Sequence, residues 1–409
     1  MKLVVIGAQW GDEGKGKIVD YLADRADLVL RYSGGANAGH TVVIGEETFK
    51  FHLIPSGIVH PDKQVVLGIG MVIDLENLFA ELEMLDGKKI DWRGRIFLAD
   101  RAHLVLPRYK ELDRLRDSER SEPLGTTGRG IGVTYAMKAH RDGIRVADLY
   151  DETIWQALEK ADREYLAPYK DKIRVMLRDV TVLLQEYEER NVLFEGAQGG
   201  LLDLDLGTYP FVSSGMSCAA GAAIGGGIGP GAINRVIGVF KAYSTRVGNG
   251  PFPTEFNAER DGGLEEFIRE TGREYGVTTG RPRRCGYLDL PALRYACRSN
   301  SIDGLVLTHL DVYDEVEEIK VCTAYSIDGE TTENFPASIA ALNRAQPVLK
   351  SFPGWKQSIR DRRTFAKLPV QARDYIAFIE KYTDTPVDIV SVGYKRSDTF
   401  IRNDPWTRS

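Results

Sequence analysis

Leu3-Val4-Val5-Ile6-Gly7-Ala8-Gln9-Trp10-Gly11-Asp12-Glu13-Gly14-Lys15-Gly16-Lys17, at the start of the chain, decides the fold. Leu3–Ile6 is a continuous apolar run of strand length, as expected of a strand buried on both faces. It leads into a glycine-rich loop, and a helical pattern over Glu13–Ala23 follows. That order suits a phosphate-cradling loop. Small residues let backbone N–H groups converge on an anion, and the helix N-terminus adds about half a positive charge. Gly11, Gly16 and Lys17 fit G-x-x-x-x-G-K. The Ser or Thr that normally closes the pattern and holds Mg²⁺ is Ile18 here. A metal at this loop therefore needs another oxygen, and Asp12 carries one. An ordinary strand-to-helix turn is the plain alternative.

Further apolar runs recur along the chain at Leu28–Tyr32, Val65–Leu67, Val192–Phe194, Arg235–Phe240, Leu305–Leu307 and Asp388–Val390. Segments with helical spacing lie between them: Leu75–Leu85, Ile154–Glu188 with an interruption at Pro168, Gly263–Thr271, Leu290–Arg298 and Ala372–Tyr382. Alternating strands and helices predict an α/β fold with a large, mostly parallel central sheet flanked by helices. Length alone, at about 150 residues per domain, suggests two or three domains. The chain has no repeat, no low-complexity tract and no Pro/Ser-rich linker. We therefore expect one domain over 1–409, with a helical insertion at about 150–190.

Composition narrows the function classes. The 53 Lys and Arg against 59 Asp and Glu give a formal charge of −6, which argues against bulk nucleic-acid binding. Anionic small molecules stay open, because local basic groups act within an acidic whole. The four cysteines form no C-x-x-C pair, which suits reduced thiols. No run reaches the roughly 20 apolar residues of a membrane helix. A cytoplasmic protein without nucleic-acid or membrane partners is the expectation. The 42 glycines exceed the average share of about 7% and gather in a few segments.

One of those segments is Ser33-Gly34-Gly35-Ala36-Asn37-Ala38-Gly39-His40-Thr41, after the second strand. Ligands in open α/β sheets sit at the carboxyl ends of strands. An imidazole there can protonate or polarise an oxygen near neutral pH. A structural His is the competing reading. His52, His60, His103 and His140 receive no role.

Together the two loops resemble the adenylosuccinate synthetase family. The resemblance continues through Gly125-Thr126-Thr127-Gly128-Arg129-Gly130-Ile131-Gly132, Glu195-Gly196-Ala197-Gln198-Gly199 and Lys241-Ala242-Tyr243-Ser244-Thr245-Arg246-Val247-Gly248. Gly250-Pro251-Phe252-Pro253-Thr254-Glu255, Thr278-Thr279-Gly280-Arg281-Pro282-Arg283-Arg284 and Leu310-Asp311-Val312 extend it over nearly the whole chain. It implies a P-loop-NTPase-like fold. The implied reaction joins IMP to L-aspartate, with GTP as co-substrate and Mg²⁺ as cofactor. The products are adenylosuccinate, GDP and phosphate, and the reaction is the committed step from IMP to AMP.

The same resemblance implies residue roles. Asp12 is the base for the N1 proton of IMP and, with the backbone oxygen of Gly39, a ligand of Mg²⁺. His40 donates to the 6-oxygen, Lys15 and the loop amides stabilise the moving phosphoryl group, and Gln198 completes the catalytic set. GTP falls to Gly11–Lys17, Gly39, His40, Thr41 and Arg283, with His309, Leu310, Asp311, Ser391, Val392 and Gly393 around its base. IMP falls to Asp12, Glu13, Gly14, Lys15, Asn37, Ala38, Gly39, His40, Thr127, Gln198, Ser213 and Arg281. Arg141 reaches the IMP phosphate of a neighbouring subunit, which implies a homodimer. The two carboxylates of aspartate fall to Val277, Thr278, Thr279, Gly280, Arg281, Pro282 and Arg283, whose guanidiniums suit bidentate binding. Without the resemblance, a solvated basic turn explains that arginine run.

Some residues depart from the family's usual pattern. Ser213 stands where Thr is commoner, Ser33 where Gln is, and His309 where Lys is. Gly215-Met216-Ser217-Cys218 replaces a more polar stretch, and the segment between Asp148 and Phe194 is short. A related phage class acts on dGMP, and one branch of it lacks the loop aspartate. The presence of Asp12 favours IMP. A decayed GTP-binding module is the other alternative, but it would need neither base nor acid.

Overall fold

Each apolar run becomes a strand because continuous burial leaves it no polar face. Leu3, Val4, Val5, Leu28, Val29, Leu30, Val65, Val66 and Leu67 are fully buried in the computed structural model. The structure describes residues 1–44, 47–276, 280 and 282–407. Ten strands form one sheet, in the order Thr399–Ile401, Val387–Ser391, Gly304–Thr308, Arg235–Lys241, Lys2–Gly7, Val192–Gly199, Leu28–Arg31, Gln64–Leu67, Ile96–Ala99 and Leu177–Arg178. Pairing is parallel from Gly304–Thr308 to each of its neighbours, and likewise through the strands from Val192–Gly199 to Leu177–Arg178. Thr399–Ile401 is an antiparallel edge.

The chain divides into two compact units, 1–5 with 16–197 and 213–234, and 6–15 with 198–212 and 235–409. In the first, helices Leu75–Gly87, Pro107–Ser118, Ile131–His140 and Lys160–Arg174 accompany the strands. Leu75–Gly87 buries Leu75, Leu78, Leu82 and Leu85 at helical spacing. In the second unit the helices are Leu264–Gly272, Leu290–Asn300 and Val370–Thr383. A separate small sheet pairs Glu318–Ile327 antiparallel with Glu330–Thr332 and Gln346–Pro353. Neither long strand is continuously buried: Glu318–Ile327 mixes buried with half-buried residues and Gln346–Pro353 exposed with half-buried ones, so a search for continuous apolar runs passes over them.

Three expectations need correction. The first helix begins at Lys15, not Glu13, because Asp12 and Gly14 have φ of 59° and 85°, outside the helical region. Pro168 does not interrupt its helix, which runs from Lys160 to Arg174 through it. Proline removes one i→i−4 bond, but Leu166 and Ile173 on either side are fully buried. The breaks fall elsewhere: after Glu152–Ala157, where Leu158 and Glu159 turn extended, and after Arg174, where Leu177–Arg178 joins the sheet as an edge strand. The backbone of His40 and Thr41 starts a strand, His40–Ile44, paired with Glu47–Phe51, rather than staying in the glycine loop.

Candidate functional site

The loop after Lys2–Gly7 is built around a buried carboxylate. Glu13 is fully buried, and its Oε1 accepts from the backbone N–H of Gly11 at 2.8 Å and of Gln9 at 3.2 Å. Its Oε2 accepts from Lys15 Nζ at 2.6 Å. Glycine is needed around it. A Cβ on Gly7 would lie 2.3 Å from Glu13 Oε2, and one on Gly199 2.2 Å from the Gln9 carbonyl. Gln9 ties the loop to the neighbouring strand, donating to the Tyr243 carbonyl at 2.9 Å and accepting from Lys241 N at 3.0 Å. Thr308 donates its hydroxyl to the Glu13 carbonyl at 2.7 Å. Glu13, Gln9, Lys241, Tyr243 and Thr308 received no role of this kind from the sequence.

Asp12 projects from this framework with its backbone left-handed, a conformation that costs a non-glycine residue free energy. Its Oδ2 lies 2.7 Å from Arg283 Nε, a close ion-pair contact whose N–H is not aligned as a hydrogen bond. Arg283 Nη1 donates to Glu274 Oε2 at 2.8 Å. Burial pulls Arg283 down, but Asp12 and Glu274 outweigh it and hold the guanidinium above its ordinary range. Gln198, at the carboxyl end of its strand, has φ 62°, and its Oε1 is 4.0 Å from where a Cβ on Gly11 would sit.

His309 has φ 56° directly after the strand Gly304–Thr308 and opens the turn Leu310–Tyr313. Its Nδ1 is 3.3 Å from the Tyr243 hydroxyl, and the two rings meet edge to face at 5.9 Å. Leu310 is fully buried. Asp311 is nearly buried, with its Oδ2 3.1 Å from Arg360 Nε. A cavity of about 610 Å³ beside it is lined by, among others, Phe267, Thr271, Lys356 and Arg360. Ser391 ends a strand, with Val392 and Gly393 following, and its hydroxyl donates to the Gly393 carbonyl at 3.1 Å. The nucleotide-side candidates of this unit thus follow the carboxyl ends of its parallel strands, where ligands of such sheets bind.

In the first unit, fully buried Arg31 holds the second glycine loop. Its guanidinium donates to the carbonyls of Gly35 at 2.8 Å and Ser33 at 3.3 Å. Asn37 Oδ1 accepts from Gly35 N at 3.2 Å. His52 Nδ1 is 2.7 Å from the Ala38 carbonyl and its ring approaches Gly39, a role not expected of His52 from its setting in the sequence. Tyr135 accepts from Gly34 N and donates to the Gly70 carbonyl. Burial pushes its hydroxyl up to about 12 and keeps it a neutral donor. Thr127 and Arg141 are exposed, and Ser213 is half-buried. Arg141, with φ 74°, ends the helix Ile131–His140. Gly16 and Lys17 lie in the first turn of Lys15–Ala23.

The side chains of His40 and Thr41 lie outside the described residues, as do Val277, Thr278, Thr279 and Arg281. Of that loop, Gly280 has φ 64° and Pro282 bridges to Tyr275. Among the described residues, no group of three or more His, Cys, Asp or Glu side chains could hold a metal. No helix among them is long and apolar enough to cross a membrane. All four cysteines are buried thiols.

A family model described as adenylosuccinate synthetase matches residues 4–165 and 156–400. The adenylosuccinate synthetase of Synechococcus elongatus is 47% identical over 98% of this chain and 95% of its own. A fully ligated adenylosuccinate synthetase from Plasmodium falciparum superposes with a TM-score of 0.91 and 36% identity, over 98% of this chain and all of that one. A succinoaminodeoxyadenylate synthetase of cyanophage S-2L, solved with dGMP and dATP, matches at a TM-score of 0.64 and 19% identity, over 98% of this chain and 95% of its own. That likeness is one of fold.

Proposed function

Because the chain belongs to the adenylosuccinate synthetase family, we propose that it condenses IMP with L-aspartate, converting GTP to GDP and phosphate and releasing adenylosuccinate. Membership makes it a ligase that forms a carbon–nitrogen bond, a GTP-using enzyme of purine nucleotide synthesis. The observation that carries the proposal is Asp12. A carboxylate is held in a left-handed backbone inside a phosphate loop, three residues before Lys15 and 2.7 Å from Arg283 Nε. A loop that only bound phosphate would gain nothing from an anion there.

The 6-oxygen of a purine lactam is a poor leaving group and must first be phosphorylated. Asp12 takes the N1 proton of IMP, which makes the 6-oxygen nucleophilic towards the γ-phosphoryl group of GTP. Lys15 and the loop amides stabilise the charge on that group, and His40 donates to the 6-oxygen. Gln198 orients the reacting purine. The aspartate amine then displaces phosphate from C6, and its proton leaves with the products. Asn37, Thr127, Ser213 and Arg281 hold IMP. The segment 277–283 binds the carboxylates of aspartate. Asp311, with His309, Leu310 and Ser391–Gly393, reads guanine. Thr41 lies on the γ-phosphate side.

Asp12 and the Gly39 carbonyl would hold Mg²⁺. The donor set fits, because Mg²⁺ takes one or two hard protein oxygens and completes its shell with phosphate and water. Asp12, one-third exposed, offers such an oxygen without a cluster of further carboxylates. When bound, the ion supplies charge neutralisation at the phosphates. Arg141 completes the IMP phosphate site of a second copy in a homodimer; separately, 1–409 is proposed to act as one functional domain, in the cytoplasm. Purified protein given GTP, IMP, L-aspartate and Mg²⁺ is expected to form adenylosuccinate. Absence of that product, or a strong preference for dGMP, would overturn the proposal.

A further inference from the structure

We propose that Glu274 is a positioning residue that sets both Arg283, beside Asp12, and His309, on the nucleotide side, through one buried carboxylate. The inference deepens the function proposed above and rests on it. Glu274 is fully buried, and both its oxygens are engaged. Oε2 accepts from Arg283 at 2.8 Å. Oε1 accepts from Lys241 Nζ at 2.6 Å and from the Tyr243 hydroxyl at 2.5 Å. Lys241, itself almost fully buried, also donates to Thr245 Oγ1 at 2.9 Å.

Two consequences follow from elementary chemistry. Tyr243 has one hydroxyl proton and gives it to Glu274. Its oxygen therefore accepts from His309 Nδ1, which places a proton on that nitrogen and fixes the ring. The charges also alternate along the chain of contacts Asp12, Arg283, Glu274, Lys241. A buried cluster with a missing member leaves an uncompensated charge. Burial pushes Glu274 up, but Lys241, His309 and Arg283 outweigh it and hold the carboxyl down at about 2, so it stays anionic. When Asp12 turns to its substrate, Glu274 keeps Arg283 in place instead of letting it follow.

Three variants test this: Glu274→Gln, the double variant Lys241→Met with Glu274→Gln, and Tyr243→Phe. Glu274→Gln should lower kcat on the order of tenfold or more and raise KM for GTP. The double variant removes one cation and one anion together, so it should recover the melting temperature while keeping the kinetic defect. Recovery of wild-type kcat and KM along with the melting temperature would reduce Glu274 to a structural role and overturn the proposal. Tyr243→Phe removes one hydroxyl and retains the ring, so it tests the second arm even if both Glu274 variants misfold. It should raise KM and Kd for GTP several-fold with a much smaller change in kcat, and an unchanged Kd would overturn that arm. Wild-type turnover, measured first, reports on the ligase reading by itself. GTP titration by calorimetry reports on Tyr243 and His309 even in a protein that turns nothing over.

Discussion

The loop at 9–15 and the stretch from Thr127 to Arg141 carry candidate residues of the same proposed site, yet they are built in opposite ways. Around the first, each charge has a buried partner: Lys15 on Glu13, Arg283 on Asp12 and Glu274, Lys241 on Glu274. In the second, Thr127 and Arg141 are exposed at the two ends of a segment whose middle is the helix Ile131–His140. A network of buried charges is arranged during folding, so its members affect stability and activity together. An exposed group that meets its ligand across a dimer affects activity alone.

The largest expected effect is on chemistry. Asp12→Ala should lower kcat by roughly 10²- to 10⁴-fold in steady-state assays, and surviving activity would show that another group is the base. Glu13→Gln comes next. It leaves Lys15 without its anion and places an amide donor against other donors, so urea unfolding should show a loss of about 3 kcal/mol, together with a fall in activity. Stability within about 0.5 kcal/mol of wild type would show that the loop does not depend on that carboxylate.

Arg141→Leu should do the reverse. Its unfolding midpoint should match the wild type within about 0.5 kcal/mol, while KM for IMP rises. Mixing it with Asp12→Ala subunits should restore part of the activity, because one hybrid site then holds both wild-type residues. Demonstrable heterodimers without recovery would contradict a shared site. The smallest effect concerns a buried carboxylate outside both regions, which shows what burial does without a charged partner. Burial, partly offset by Tyr325 and the Ala292 amide, raises the carboxyl of Asp289 from its ordinary 3.8 to about 6. The folded protein thus holds this proton more tightly than the unfolded chain. Its stabilising contribution is complete below about pH 4 and is lost as pH rises through 6. Melting curves of Asp289→Asn between pH 4 and 6 should lack that decline, and an unchanged slope would assign it to another group.

The sequence makes the α/β framework legible because strands buried on both faces leave continuous apolar runs, and Leu3–Ile6 followed by glycine locates the phosphate loop. It does not make the charge network legible. Glu274 sits in the polar stretch Gly272-Arg273-Glu274-Tyr275, which reads as a solvated turn, and two of its partners, Lys241 and Tyr243, lie 33 and 31 residues away. Lys241 and Arg31 were nearer to detection. Lys241 directly follows the run Arg235–Phe240 and Arg31 lies inside Leu28–Tyr32, and a charged residue in such a strand is buried and must be paired. The strands Glu318–Ile327 and Gln346–Pro353 escape for the opposite reason, since neither is buried along its whole length.

Turnover of IMP and of dGMP, each with L-aspartate, Mg²⁺ and either GTP or ATP, tests the central claim most directly. Adenylosuccinate formed from IMP with GTP as the preferred donor is the expected result. A preference for dGMP, or no carbon–nitrogen bond formed with either nucleotide, would contradict it.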